Sequence, residues 1–422
     1  MFLARAASRA SRNDASERRE LENAIEIFDR RAASLSDEER RLAHEQTGRP
    51  LYEALIESAL RRGDMREGLA ALERYHSRLD VRSSSAALPA AVDLAPPNTV
   101  VLAYATLRER LVIWVLEPGR QVRVVQQQVA RDRLGALVDA FVDCIVANER
   151  TEAMAVGQTL FDLVLGPVKT VPADRLWIVP DGPLHRLPFP ALPQSRSGGF
   201  VVERWTLTLR TSLSPARSSH RGPLPAGSLV VGNPAAAGVA PLPEAEREAV
   251  DIAARYPRPV LLTGRDVTAA RLVSALKTTP VFHFGGHASV NRARPLLSRL
   301  RLSPAADGNP QDLFVYDLRR MSLAHVRLAV LAACRTADAR SGAADGVVNL
   351  SRALLVRGVG AVVASLFDLG DRPSRQLFVR FHDEYRRSGL AAESLRAAQL
   401  QQLRRGSGVP MRDWAGVIVV EQ

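Results

Sequence analysis

Cys334 and His287 are the two side chains whose types could make a nucleophile and its base. Cys334 follows the apolar run Leu328–Ala333, and His287 follows Val281–Phe284 and two glycines. A thiol attacks as its thiolate, and an imidazole within hydrogen-bond reach favours that form. Each residue also has a plainer reading alone. A cysteine at a strand end is ordinarily core filling, and a histidine after Gly285-Gly286 can simply bond the backbone. The pair carries meaning if both lie at the carboxyl ends of neighbouring parallel strands, where α/β sheets gather ligands and catalytic groups.

The remaining candidates are weaker. Cys144 lies among Val142, Ile145 and Val146 in a helical stretch and reads as core. Two thiols cannot form a disulfide framework, and free thiols fit a reducing, cytoplasmic compartment. His283 shares a strand face with Gly285 and reads as structural. His185, after the turn Pro180-Asp181-Gly182, reads as a turn histidine bonding backbone. His283, His287 and Cys334 offer three metal-ligand types, but histidines at i, i+4 converge on a helix and this stretch reads as a strand. The glycines of residues 232–238 lead into Pro241-Leu242-Pro243 rather than a helix, and no Walker sequence occurs. No metal and no organic cofactor is expected.

The elements that must position the pair follow from periodicity. Residues 1–80 read as helical, and Leu51–Arg78 divides into two helical halves around Arg62-Gly63-Asp64, a tetratricopeptide-like hairpin. Residues 81–98 are rich in Ser, Ala and Pro and read as a linker. The runs Thr99–Leu107 and Leu111–Leu116 read as a hairpin, with a third strand over 121–128 and helices over 131–165. A second Ser/Pro/Gly-rich boundary spans 213–227. From Ser228, strands and helices alternate, with a helix over 267–276 capped by Asp266. That alternation predicts an α/β fold, a mostly parallel sheet flanked by helices.

Composition narrows the function classes. The 422 residues are 46% hydrophobic and 24% charged, which is ordinary for a globular protein with a real core. The longest apolar runs, Leu328–Cys334 and Val359–Phe367, fall well short of the ~20 residues a membrane span needs. Arginines interrupt the N-terminus, so no secretory signal is read there. The net charge of +12 rests almost wholly on arginine, since Lys169 and Lys277 are the only lysines. No run of five like charges occurs and aromatics are 5%, so nucleic acid is not the expected partner.

Several blocks in order give a more specific signal. They are Leu176–Leu192 (a strand, P-D-G, then L-P-F-P-A-L), Leu229–Pro234 (with V-V-G-N-P), Val281–His287, Ala333–Thr336 (A-C-R-T) and Gly358–Phe367. Ala392–Gln399 and Trp414-Ala415 complete the set. Cys334 stands 47 positions after His287, close to the spacing of the caspase Cys–His pattern. In this order the blocks resemble a CHAT domain over residues 99–422, the caspase-like cysteine peptidase domain often found with tetratricopeptide repeats. The resemblance implies an N-terminal part over 99–227 and a caspase-like catalytic part over 228–422.

It also implies that Cys334 is the nucleophile and His287 the general base and acid, with the backbone N–H groups of Ala288 and Cys334 as the oxyanion hole. Family members usually carry Gly where Ala288 stands. Ala332 and Phe367 replace a common Ser and Trp and read as packing changes. Asp345-Gly346 matches an acidic-Gly pair: Asp345 could line the P1 pocket or cap the next helix. The expected activity is a cytoplasmic cysteine endopeptidase acting on a protein substrate and controlled by a protein activator at the N-terminal helices. Family association with bacterial defence would fit. The alternatives are a catalytically inactive CHAT scaffold for protein interaction, which Ala288 favours, and a basic nucleic-acid-sensing adaptor.

Overall fold

The computed structural model describes residues 14–36, 38–78, 97–195, 198–213, 225–291, 294–305, 307–333, 350–406 and 408–421. Cys334 and Asp345 lie outside the described residues, as does nearly all of the expected linker over 81–98. The chain opens with α1 (Asp14–Ser34), α2 (Glu38–Gln46), α3 (Arg49–Arg61) and α4 (Met65–Arg78). α3 and α4 form the expected hairpin. Gly63 turns it at φ 76°, in the left-handed region open to glycine. Asp64 accepts the Glu67 N–H at 2.9 Å and so satisfies a donor of the first turn of α4.

The hairpin does not stand apart from the sheet. β1 (Thr99–Thr106), β2 (Leu111–Leu116) and β3 (Arg123–Gln127) form an antiparallel meander. Trp114 of β2 is fully buried and donates its indole N–H to the Met65 carbonyl at 2.9 Å. Burial of an aromatic ring this large, with its polar atom satisfied, fastens the helices to the sheet. α5 (Arg131–Ala147) and α6 (Arg150–Val164) follow, then β4 (Arg175–Val179) and β5 (Thr206–Arg210).

The second half alternates as expected: β6 (Gly227–Pro234), α7 (Pro243–Ala253), β7 (Arg258–Gly264), α8 (Ala269–Leu276) and β8 (Val281–Gly286). Three two-residue strands, β9 (Ala288–Ser289), β10 (Arg299–Leu300) and β11 (Leu313–Phe314), form a small separate sheet. Then come β12 (Leu328–Ala333), α9 (Leu350–Val356), β13 (Ala361–Ser365), α10 (Asp371–Ser388), α11 (Ala391–Leu403) and β14 (Val417–Glu421).

Among the described residues eleven strands form one sheet, in the order β3-β2-β1-β4-β5-β14-β13-β12-β8-β6-β7. β1, β4, β5 and β14 run parallel, as do β13, β12, β8, β6 and β7. β14 is antiparallel to β13. The two parallel blocks therefore run in opposite directions, and their carboxyl ends lie on opposite rims. β8 and β12 are central and buried along nearly their whole length, which explains their almost unbroken apolar sequences.

Several details differ from the sequence reading. The N-cap of α8 is Thr268, whose hydroxyl accepts the Arg271 N–H, while Asp266 instead pairs with the Arg271 side chain. β5, β7 and the two-residue strands β9, β10 and β11 are additional strands. β7 was hidden by Pro259 and by its place at the sheet edge, where Val260 and Leu261 are exposed and no alternation results.

Candidate active site

β8 and β12 are neighbours, parallel, and in register from Leu328↔Val281 to Ala333↔Gly286. β8 ends one residue before His287. β12 ends at Ala333, one residue before Cys334, and the described residues stop there. Gly286 has no room for a side chain, because a Cβ would meet Pro234 Cδ at 2.9 Å. Ala332 pairs with Gly285, and Phe367 is buried over Gly416, so both departures from the usual residues sit at packing positions.

His287 is half-buried at the rim. Its Nε2–H donates to the Ala240 carbonyl at 2.8 Å, in the loop between β6 and α7. A carbonyl can only accept, so this bond places the proton on Nε2 and leaves the Nδ1 lone pair free to take another. The His287 carbonyl accepts the Arg301 N–H at 2.9 Å. That bond makes Ala288 and Leu300 a non-hydrogen-bonded pair of the β9–β10 ladder, so the Ala288 N–H points away from β10. The described non-glycine residues with positive φ are Asn98, Asn148 and Asn233, so Ala288 holds an ordinary extended backbone.

His283 lies four residues earlier, within β8. It is fully buried, with Nε2 2.9 Å from Glu248 Oε1 and Nδ1 3.2 Å from His382 Nε2. His382 Nδ1 lies 2.8 Å from the Tyr256 hydroxyl. One proton arrangement with both rings neutral satisfies every bond: Tyr256 donates to His382, His382 to His283, and His283 to the carboxylate. Burial, then the neighbouring His283, holds the His382 pKa well below its usual value. Among the described residues no group of three His, Cys, Asp or Glu is arranged to hold a metal.

Cys144 is half-buried against the core on α5, and burial and then Glu149 push its thiol pKa up. That environment opposes thiolate formation. His185 sits in the turn after β4, on the opposite rim, and burial pulls its pKa down to about 3.

Sequence reasoning missed what Asp181 does in the P-D-G turn. Its Oδ2 accepts the Thr106 N–H at 2.6 Å, the Thr106 hydroxyl at 2.7 Å and Arg49 Nη2 at 2.9 Å. Burial alone would raise its pKa, but the Arg49 guanidinium and His76 hold it well below the usual carboxylate range. Arg49 starts α3, so this turn is the receptor for the helical region. The helices also reach the second half of the chain. Glu39 of α2 pairs with Arg294 through two contacts of 2.8 and 3.1 Å, and Arg352 of α9 donates to the His76 carbonyl at 3.3 Å.

The family model for the CHAT domain matches residues 154–422. The chain belongs to the CHAT domain family. It is 27% identical over 326 residues to tetratricopeptide repeat protein 28 of Mus musculus, covering 62% of this chain and 13% of the relative. The Homo sapiens protein of the same name is 26% identical over 327 residues, with the same coverage. The chain thus spans 13% of the length of these curated relatives. In fold it is similar to the Saccharomyces cerevisiae separase of a separase–securin complex, with TM-score 0.55 and 10% identity over 97% of this chain and 38% of that one. The Arg-specific cysteine proteinase gingipain R gives TM-score 0.41 and 11% identity, over 64% of this chain and 67% of that one. With the family match and the separase likeness, the CHAT domain here has a caspase-like fold, and the N-terminal helices precede it. No described helix is long and apolar enough to cross a membrane.

Proposed function

We propose that this CHAT domain protein is a cytoplasmic cysteine endopeptidase that uses Cys334 and His287 on a protein substrate. The observation that carries the reading is the in-register pairing of β8 with β12, which ends at Gly286 and Ala333, the residues directly before the two. A parallel pair of strands is ~4.8 Å apart, so two residues that continued both strands at the same level would fall within reach of each other.

The chemistry follows from the proton on His287 Nε2. Nδ1 takes the thiol proton of Cys334, and the thiolate sulfur bonds to the peptide carbonyl carbon. The carbonyl π electrons move to oxygen, where the N–H groups of Ala288 and Cys334 stabilise the oxyanion. The oxyanion collapses, the C–N bond breaks, and the imidazolium gives its proton to the leaving amine. Water, deprotonated by His287, then hydrolyses the thioester and returns the thiol.

Control by a protein activator at the N-terminal helices is supported by the Glu39–Arg294 and His76–Arg352 contacts. The first joins the helices to the loop after β9, the second to the helix that follows the Cys334 segment. The reading is tested by comparing new protein N-termini produced by the wild type, Cys334→Ala and His287→Ala, with and without partners that co-purify. Cleavages lost in both variants, with folding intact, are expected, together with a thiol-directed peptide electrophile attached to Cys334. Absence of both would favour the inactive scaffold.

A further inference from the structure

The V-V-G-N-P segment and the loop after it have no role in the chemistry above, yet they deliver the carbonyl that His287 bonds. We propose that Arg301 is a positioning residue for His287, acting through the loop of residues 235–241, and that Asn233 closes the base of that loop. The inference rests on the reading of His287 as the general base.

A loop carbonyl orients an imidazole only if the loop itself is held. Asn233 has φ 50°, its Oδ1 accepts the Leu242 N–H at 2.7 Å, and its Nδ2 donates to Glu246 at 3.0 Å. These bonds join the two ends of the loop. The Ser303 hydroxyl accepts the Ala235 N–H at 2.9 Å and donates to the Gly264 carbonyl at 2.7 Å. Arg301 then ties the loop to the histidine. Its Nη2 donates to the Ala237 carbonyl at 2.8 Å, and its backbone N–H donates to the His287 carbonyl at 2.9 Å. Its Nε lies 3.3 Å from Asp312 Oδ1, and that same oxygen accepts the Leu302 N–H at 3.2 Å. Asp312 is thus held by the backbone and aims the guanidinium at the loop. Arg299 is the natural contrast: it pairs with Asp312 at 3.1 Å and lies over the Phe314 ring.

The test uses the full chain carrying Cys334→Ala, labelled with ¹⁵N-histidine, and His287→Gln to assign the ring. NMR then reads the tautomer and the solvent exchange of the Nε2–H. With Arg301 present, a single Nε2–H form with a protected proton is expected. Arg301→Met should speed that exchange and lower the tautomer ratio by about fivefold, the size of one ordinary hydrogen bond. Arg299→Met should leave both unchanged. If Arg301→Met does not fold, Arg301→Lys carries the test with the same expected direction. An unchanged His287 spectrum in the folded Arg301 variant, or equal change in both arginine variants, overturns the proposal. With Cys334 restored, kcat on a cleaved peptide should fall about ten- to a hundredfold in Arg301→Met, with KM little changed. If the wild type cleaves nothing, the peptidase reading falls while the NMR result still judges Arg301.

Discussion

Replacing Arg49 with Met should cost about 3 kcal/mol of folding stability, and the cost should depend on pH in a set direction. Asp181 is 4% exposed at its side chain and Arg49 14%. Removing one partner of a buried ion pair costs ~3–5 kcal/mol, because the other charge is left buried. Asp181 keeps its two bonds from Thr106, which places the cost at the low end of that range. The folded pKa of Asp181 is depressed, so its contribution is present above the unfolded carboxylate value of about 3.9 and is lost as pH falls through the folded value. In Arg49→Met, burial acts without the opposing cation and pushes that pKa up. The stability gap between wild type and variant should therefore be widest near neutrality and narrow towards pH 4, once the variant's carboxylate takes a proton. Urea unfolding followed by tryptophan fluorescence suits the measurement, since Trp114 is packed at the same helix–sheet junction. A change within about 0.5 kcal/mol, or a gap equal at pH 4 and pH 7, would refute the argument.

Two further substitutions probe the elements behind the site. Gly232→Ala should lower stability by about 1–3 kcal/mol, because the new Cβ would stand 2.5 Å from Ala249 Cβ and 2.7 Å from the Ala245 carbonyl, pushing α7 off β6; an unchanged urea midpoint would show that the helix shifts freely. His382→Leu leaves His283 and the Tyr256 hydroxyl without their partner, so about 2–4 kcal/mol should be lost; calorimetry showing a loss below about 0.5 kcal/mol would mean that the relay adds nothing to stability.

Much of this protein was legible in its residues. The runs of β8 and β12 announce buried parallel strands because a strand covered on both faces has no polar side to alternate. The helical hairpin could be read from apolar spacing around Gly63, and the β1–β2 hairpin from its β-branched runs. Ordered motifs pointed to the CHAT family, and the family model and the fold agree with that. Apart from the motif order, which runs along most of the chain, these are local signals, carried by side-chain periodicity and turn chemistry within one segment.

What depended on tertiary structure is of another kind. No local feature says that β14 enters antiparallel between β13 and β5, turning two parallel blocks into one sheet with opposed rims. A strand pairs through backbone groups that every residue type carries, so its neighbours in the sheet are not written in its own side chains. Thr268 rather than Asp266 capping α8 was equally undecided by composition, since both residue types can cap. The partner of His287 is a main-chain carbonyl at Ala240, and a backbone group leaves no mark in residue type. Likewise Arg49 and Asp181 are 132 positions apart in the chain, and their pairing is meaningful only because folding removes both from water. Sequence determined which groups are available for chemistry; the packing of distant segments decided which of them meet, and in what solvent environment they act.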